Sequence, residues 1–467
     1  MPRKTARAAG RAAKKAVQRC VDPQCGGVYG LRERIYICPR CGGTLEIDCA
    51  LESSRAAGNP AALRRRWASR AASHEPIDRS GVWKYREMLP FAEPIPFVTL
   101  FEGNTPLYGA SRSAKYCGLD ALRLKHQGCN PTGSFKDTGM SAAITQAVVL
   151  GAKTAVCAST GNTAAALAAY AARAGLQAAV LLPRGQISAG KLAQSLDYGA
   201  LVCEIDGNFD DCMRLIQEVG DDPSIYVVNS INPFRIEGQK TIAFEIMEQC
   251  RWQAPDHVVV PGGNMGNGTA LGKGFQELLD LRLIKRLPKL SVVQAEGAAP
   301  VARLFAALDR RKAANGDNLP ATMDPVKHPH TLATAIKIGA PVSWKKALRA
   351  VLRSGGEVIA VSEQEIGDAK AMIGRDGIGC EPGSATTVAG IKKLVAAKKI
   401  RRGENVIAVL TGHMLKDADY VANYHRDTLA MDADGASHPI HGAFRNTPER
   451  VAANKSAILE AMERRRS

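Results

Sequence analysis

Continuous apolar runs rich in β-branched residues, each followed by an alanine-rich stretch, constrain the fold of this chain more than any other feature. Lys153-Thr154-Ala155-Val156-Cys157-Ala158 reads as a strand, and Thr163 to Ala174 as a helix ended by Gly175. Ala178-Ala179-Val180-Leu181-Leu182 is a second strand, stopped by Pro183. The pattern returns at His257-Val258-Val259-Val260, at Leu290-Ser291-Val292-Val293-Gln294 and at Asn405-Val406-Ile407-Ala408-Val409-Leu410. Strands without alternation are buried on both faces, as in parallel sheets covered by helices. The chain therefore reads as α/β with doubly wound sheets. At 467 residues it exceeds one ordinary domain, and two or three units are expected.

Lys136 lies in Asn130-Pro131-Thr132-Gly133-Ser134-Phe135-Lys136-Asp137, between a punctuated turn and the helical pattern that begins near Met140. Thr132 or Ser134 is the expected cap. The amine falls near a helix N-terminus, whose positive end disfavours the ammonium. A lysine with a lowered pKa can serve as a Schiff-base nucleophile. Taken alone, a first-turn lysine is more often a surface residue, and its neighbours decide the matter.

Ser159-Thr160-Gly161-Asn162-Thr163 follows a strand and opens a helix. Ligands of open α/β sheets bind at such strand ends, and helical N–H groups make an anion site there; in isolation the segment fits a capped helix equally well. Pro261-Gly262-Gly263-Asn264-Met265-Gly266-Asn267-Gly268 follows the strand ending at Val260. Its backbone amides can wrap a phosphate. A Walker loop would need Gly at Asn267 and Ser or Thr at Gly274, and a dinucleotide fingerprint would need glycine at Leu271. A different phosphorylated cofactor is implied.

These three segments together resemble the fold-type-II pyridoxal-phosphate enzymes, the tryptophan-synthase-β-like group, and within it most of all the threonine synthase family. The resemblance runs from about Cys20 to about Asp417. Its further markers are Glu102-Gly103-Asn104-Thr105-Pro106-Leu107, Asn229 to Lys240, Thr334 to Gly339, Cys380-Glu381-Pro382-Gly383-Ser384-Ala385 and Leu410-Thr411-Gly412-His413. Thr138 stands where many members carry Arg, and Met265 varies within the glycine loop.

The resemblance implies that Lys136 is the Schiff-base lysine and that Asn162 hydrogen-bonds the cofactor's ring 3′-oxygen. It implies that Gly262, Gly263, Asn264, Met265, Gly266 and Asn267 hold the cofactor phosphate and that Thr411 faces the ring nitrogen. Ser159, Thr160 and Thr163 would meet the substrate carboxylate, or its phosphate together with Asn229 and Arg235. The implied reaction converts O-phospho-L-homoserine and water to L-threonine and phosphate, in a homodimer. The alternative is another fold-type-II lyase, a serine or threonine dehydratase or an enzyme resembling cysteate synthase.

Four cysteines precede this body: Cys20 and Cys25, then Cys38 and Cys41, each pair followed by glycines. Two such knuckles read as a zinc-ribbon-like module with a structural zinc held by Cys20, Cys25, Cys38 and Cys41, and with no open position for catalysis. A metal-free ribbon and disulfides are the alternatives. Most other cysteines stand singly in apolar strands, as at Cys157 and Cys203, which suggests reduced thiols and a cytoplasmic setting. No apolar run long enough for a membrane span occurs.

The net charge of +17 suggests nucleic acid until it is located. Seven of those charges fall in residues 1–19, which carry no acid, and the rest of the chain holds +10. A solubilising tail is the expected reading, and nucleic acid is not an expected partner. The chain divides as a basic tail at 1–19, the ribbon at 20–50 and a helical linker at 51–96. A large cofactor-binding domain takes 97–140 and 246–430, a small domain takes 141–245, and an extension takes 431–467.

Overall fold

The computed structural model describes residues 16–51, 59–185, 189–309, 311, 313, 316, 318–433 and 435–464. The basic tail expected at 1–19 therefore lies almost wholly outside the described residues.

The apolar runs form two parallel sheets. The larger has six strands in the order Val358–Val361, Lys289–Ala295, His257–Pro261, Val406–Leu410, Leu122–His126 and Leu107–Gly109. Only the edge strand Leu107–Gly109 is antiparallel to its neighbour. Val259 pairs with Ser291 on one side and Ala408 on the other, so this strand is central. Alternate residues supply two separate cores. Val258, Val260, Leu290, Val292, Ile407 and Val409 join one, while Val259, Val293, Ala295, Val406, Ala408 and Leu410 join the other. Helices cover both faces, and this burial on two sides explains why the strands carry no polar alternation.

The smaller sheet is fully parallel, in the order Leu201–Ile205, Gln177–Pro183, Thr154–Ala158 and Ile225–Val227. Its helix Asn162–Ala174 ends at Gly175, whose φ of 69° closes the last turn. Helix Lys136–Val149 packs on the same core through Met140, Ala143, Ile144 and Ala147. It crosses helix Pro233–Gln239 very closely. A Cβ added at Gly238 would lie 2.0 Å from the Thr138 carbonyl oxygen, so no larger residue fits. That approach brings Arg235 alongside Lys136.

Helix Pro60–Ala71 lies in the stretch expected to be helical. Asn59 accepts from Ala62 N, and Pro60 stands at the first helical position. The helix buries Leu63 and Trp67; the Trp67 ring stacks on Phe244 at 6.3 Å and 7°. A buried tryptophan removes roughly 200 Å² from water, worth about 5 kcal/mol of gross transfer energy.

Four ribbon cysteines sit around an antiparallel sheet of Val28–Tyr29, Val17–Cys20 and Leu45–Asp48. The ribbon docks on helices and an edge strand around both sheets. Arg34 donates to the Leu150 carbonyl at 2.7 Å, and Tyr36 OH accepts from Val227 N at 2.8 Å. On its other side Lys346 donates to the Leu45 carbonyl at 3.1 Å.

Beyond residue 430 the chain forms a hairpin, Ala430–Ala433 with Ala436–Pro439, and the helix Lys455–Arg464. The helix start follows Asn454, whose side chain caps it by accepting from Ala457 N at 2.9 Å. No helix among the described residues is long and apolar enough to cross a membrane.

Candidate active site

Lys136 is the first residue of helix Lys136–Val149. The turn before it is zipped to a distant strand end: Phe135 N donates to the Thr411 carbonyl at 2.9 Å, and His413 N to the Gly133 carbonyl at 2.9 Å. Residues 133–136 and 411–413 are thereby neighbours. Neither Thr132 nor Ser134 provides the ordinary cap anticipated from sequence. Ser134 Oγ accepts only from Lys136 N, at 3.3 Å. Thr132 instead donates its N–H to the Asp137 carboxylate at 2.7 Å, with a second short contact from its hydroxyl. The carboxylate reaches back from the helix to hold the turn, and its burial pushes the Asp137 carboxyl up to about 7.

The Lys136 amine is pushed down to about 7, first by burial and next by the Arg235 guanidinium, with the Glu381 charge opposing. Sequence reasoning anticipated the direction from the helix terminus, but burial and a neighbouring cation are the causes here. An amine with this pKa is substantially neutral at physiological pH, as a base or nucleophile must be.

Asn162 and Thr411 approach from different sheets and meet on one carboxylate. Asn162 Nδ2 donates to Glu381 Oε2 at 2.9 Å, and Thr411 Oγ1 donates to Glu381 Oε1 at 3.2 Å. Ser384 Oγ lies 3.0 Å from Thr411 Oγ1. Glu381 and Ser384 are site residues that sequence reading quoted within a motif but gave no role. A glutamate before the proline that starts a helix looks like a cap position; only the fold brings it to Asn162.

The glycine loop joins strand His257–Pro261 to helix Gly266–Asp280. Met265 takes a left-handed φ of 63°, which turns the chain sharply at the helix start. The first helical N–H groups, at Gly266, Asn267 and Gly268, have no intrahelical acceptor. Asn264 braces the loop, donating to Ser230 Oγ at 3.0 Å and accepting from Val342 N at 2.8 Å. Asn267 is 5% exposed, yet neither polar atom of its amide has a partner among the described residues. An orphaned buried amide beside free helical N–H groups fits an anionic group such as a cofactor phosphate. The residues present thus fit pyridoxal phosphate at both its ring and its phosphate ends.

Arg235 is 3% exposed, and its Nη1 donates to the Val228 carbonyl at 3.1 Å. Among the described residues its Nε has no partner, and burial pushes its pKa down to about 10. A buried guanidinium with an unmet donor is prepared for an anion. Asn229 is placed differently from the expectation of substrate contact. Its amide accepts from Ala158 N and donates to the Ala158 carbonyl, both at 3.1 Å, and so splints the strand that leads to Ser159. Ser159, Thr160 and Thr163 are half-buried around the start of helix Asn162–Ala174, with Ser159 Oγ accepting from Gly161 N at 3.2 Å.

The four ribbon sulfurs lie within 4.8 Å of one another. Cys20 and Cys41 approach to 3.5 Å, and Cys25 and Cys38 to 3.6 Å. A zinc–sulfur distance of about 2.3 Å gives tetrahedral edges of about 3.8 Å, so the thiols fit one ion without rearrangement. The Tyr29 hydroxyl, 3.1 Å from Cys38 Sγ, holds that thiol below its ordinary value. A second cluster, Cys49, Glu237 and Glu277, surrounds the Lys240 ammonium, which is 2.6 Å from Glu237 and 2.8 Å from Glu277. The ammonium takes the place a metal would have. A cavity of about 910 Å³ lies beside this cluster, against the ribbon, and Lys136, Asn162, Arg235 and Thr411 are not among its lining residues.

Comparison with known proteins agrees with this geometry. A family model described as "Pyridoxal-phosphate dependent enzyme" matches residues 98–412. The chain is 44% identical to the threonine synthase of Methanocaldococcus jannaschii, over 90% of this chain and 97% of that one. It is 45% identical to that of Mycobacterium tuberculosis, over 74% of this chain and 91% of the relative. Among solved structures, threonine deaminase isoform 2 of Solanum lycopersicum superposes with a TM-score of 0.57 at 19% identity, covering 76% of this chain and 85% of that one. This last likeness concerns the fold alone.

Proposed function

The chain belongs to the threonine synthase family of pyridoxal-phosphate-dependent enzymes, and from that membership we infer that it converts O-phospho-L-homoserine and water to L-threonine and phosphate. It is a pyridoxal-phosphate-dependent lyase with a small-molecule substrate. The residue roles proposed here rest most heavily on one observation: Lys136, its pKa lowered to about 7, lies beside a buried Arg235 whose Nε has no partner among the described residues.

Pyridoxal phosphate, when bound, supplies an electron sink for the substrate's α-carbon. Lys136 would hold it covalently, the N–H groups of Gly262 to Asn267 would hold its phosphate, and Asn162 and Thr411 would meet its ring. Once the substrate amine has displaced Lys136, the freed amine would move the protons one at a time. It takes one from the α-carbon and releases it before taking one from the β-carbon. After phosphate has left, it returns one to the γ-carbon and, as water adds at the β-carbon, one to the α-carbon. Arg235 would hold the substrate phosphate until it leaves the γ-carbon. Ser159, Thr160 and Thr163 would hold the carboxylate at the start of helix Asn162–Ala174. Water then adds at the β-carbon. Asn229 would act by keeping the Ser159 loop in place.

Purified protein assayed with O-phospho-L-homoserine, serine, threonine and phosphoserine tests the reaction. Phosphate release with threonine formation from the first is expected, and no phosphate release from it would refute the reading. Arg235→Lys tests the phosphate role. Loss of the planar donor fork should raise KM for O-phospho-L-homoserine about 10–100-fold while leaving cofactor binding intact. An unchanged KM would remove Arg235 from substrate recognition.

The ribbon is proposed to hold one structural zinc on Cys20, Cys25, Cys38 and Cys41. Metal analysis should find about one zinc per chain. Cys38→Ser should abolish that occupancy and lower the urea midpoint of unfolding, because the ribbon's own core, Cys20, Cys38 and Leu45, is too small to stand without an ion. Full zinc content in Cys38→Ser would exclude this site.

A further inference from the structure

Glu381 precedes the helix Pro382–Ala396 and is 1% exposed. Its carboxylate lies against the backbone of Gly412, where an added Cβ would sit 2.4 Å from the carboxylate carbon. Hydrogen-bond directions around it follow by elimination. Ser384 Oγ accepts from Thr411 N at 2.8 Å and from Gly412 N at 3.0 Å. With both lone pairs of that hydroxyl engaged, its proton is free to point to Thr411 Oγ1, 3.0 Å away. Thr411 then donates its own hydroxyl proton to Glu381 Oε1, at 3.2 Å. Towards any ligand, Thr411 has only a lone pair left to offer. The same carboxylate, bonded to Asn162 Nδ2, fixes which end of the Asn162 amide faces which way.

We propose that Glu381 is a positioning residue that, through Thr411 and Asn162, sets the polarity of the hydrogen bonds offered to the cofactor ring. This rests on the reading that Asn162 and Thr411 face that ring. A threonine that only accepts favours a protonated ring nitrogen, and an amide held by its nitrogen keeps a second N–H for the ring oxygen. Serine and carboxylate thus decide a protonation preference that a threonine alone would leave open. Glu381 also faces Lys136, whose proton affinity it raises, with Arg235 acting in the opposite sense.

Glu381→Gln keeps the volume and removes the charge and the obligate acceptor. In the holoenzyme the visible absorption band of the cofactor, and the pH dependence of that band, should both change. Cofactor affinity should fall about tenfold, the effect of one charge-assisted hydrogen bond. The acid limb of the kcat profile should move to lower pH, since the Lys136 freed by substrate loses a charge that favours its protonated form. Ser384→Ala, which removes the proton donor to Thr411, should change the band in the same direction by less, and serves if the glutamine variant folds poorly. A band, pH profile and affinity equal to wild type, with only a lower unfolding midpoint, would make Glu381 merely structural and overturn the inference. A wild-type protein with no cofactor band would instead overturn the underlying reading.

Discussion

Lys136→Ala should lower kcat by about 10²–10⁴-fold or more, because the variant loses both the covalent anchor and the base. Cofactor should still be retained through the glycine loop, but without its lysine-linked absorption band. The kcat profile, which reports the complex where substrate has freed the lysine, should show an acid limb near pH 7, where the amine becomes protonated. The same shift predicts a stability effect in the cofactor-free protein. The lysine's folded pKa, about 7, lies below its ordinary 10.5, so between those values the unfolded chain binds more protons. Stability should therefore rise with pH across that window, and Lys136→Met should flatten the rise. Urea midpoints of both proteins at several pH values measure this. Wild-type kcat in Lys136→Ala would end the assignment.

Glu245→Ala should be the most damaging change to stability, at about 3–5 kcal/mol. Lys125 and Glu245 form an ion pair of 2.6 Å with side chains 0% and 2% exposed. Lys125 further donates to the Thr105 carbonyl at 2.7 Å and to Gln249 Oε1 at 2.9 Å. Glu245 Oε1 accepts from Asn104 N at 2.6 Å, beside Gly103 and Asn104, whose φ values are 81° and 51°. Removing the carboxylate leaves a buried ammonium and frees a turn held in left-handed conformation. Changing both partners, as Glu245→Leu with Lys125→Met, should recover much of the loss. The unfolding midpoints of single and double variants form the test; a double-variant loss equal to the sum of the two single losses would mean that the pair is not energetically linked.

The parallel sheets were legible because burial on two faces leaves a local record, a run of apolar β-branched residues before each helix. Lys136 and the glycine loop were legible for a related reason: turn residues at helix starts are set by local backbone chemistry. The clustering of Cys20, Cys25, Cys38 and Cys41 was legible from their spacing alone. Other roles left no local trace. Asn229 reads as a binding residue within its motif, yet its amide is spent on Ala158. Thr132 reads as a helix cap, yet it serves Asp137. Glu381 reads as the residue before a helix, yet it joins Asn162 to Thr411.

The amino-acid sequence by itself determined the fold class, the family and the lysine proposed to carry its chemistry, since periodicity, turn residues and motif order are properties of neighbours along the chain. Tertiary structure alone decided what tunes that lysine. Burial, Arg235 and Glu381 act on Lys136 through space, from positions 99 and 245 residues away in the chain. Electrostatic and hydrogen-bonding effects depend on distance and solvent exclusion, and neither is written in local order.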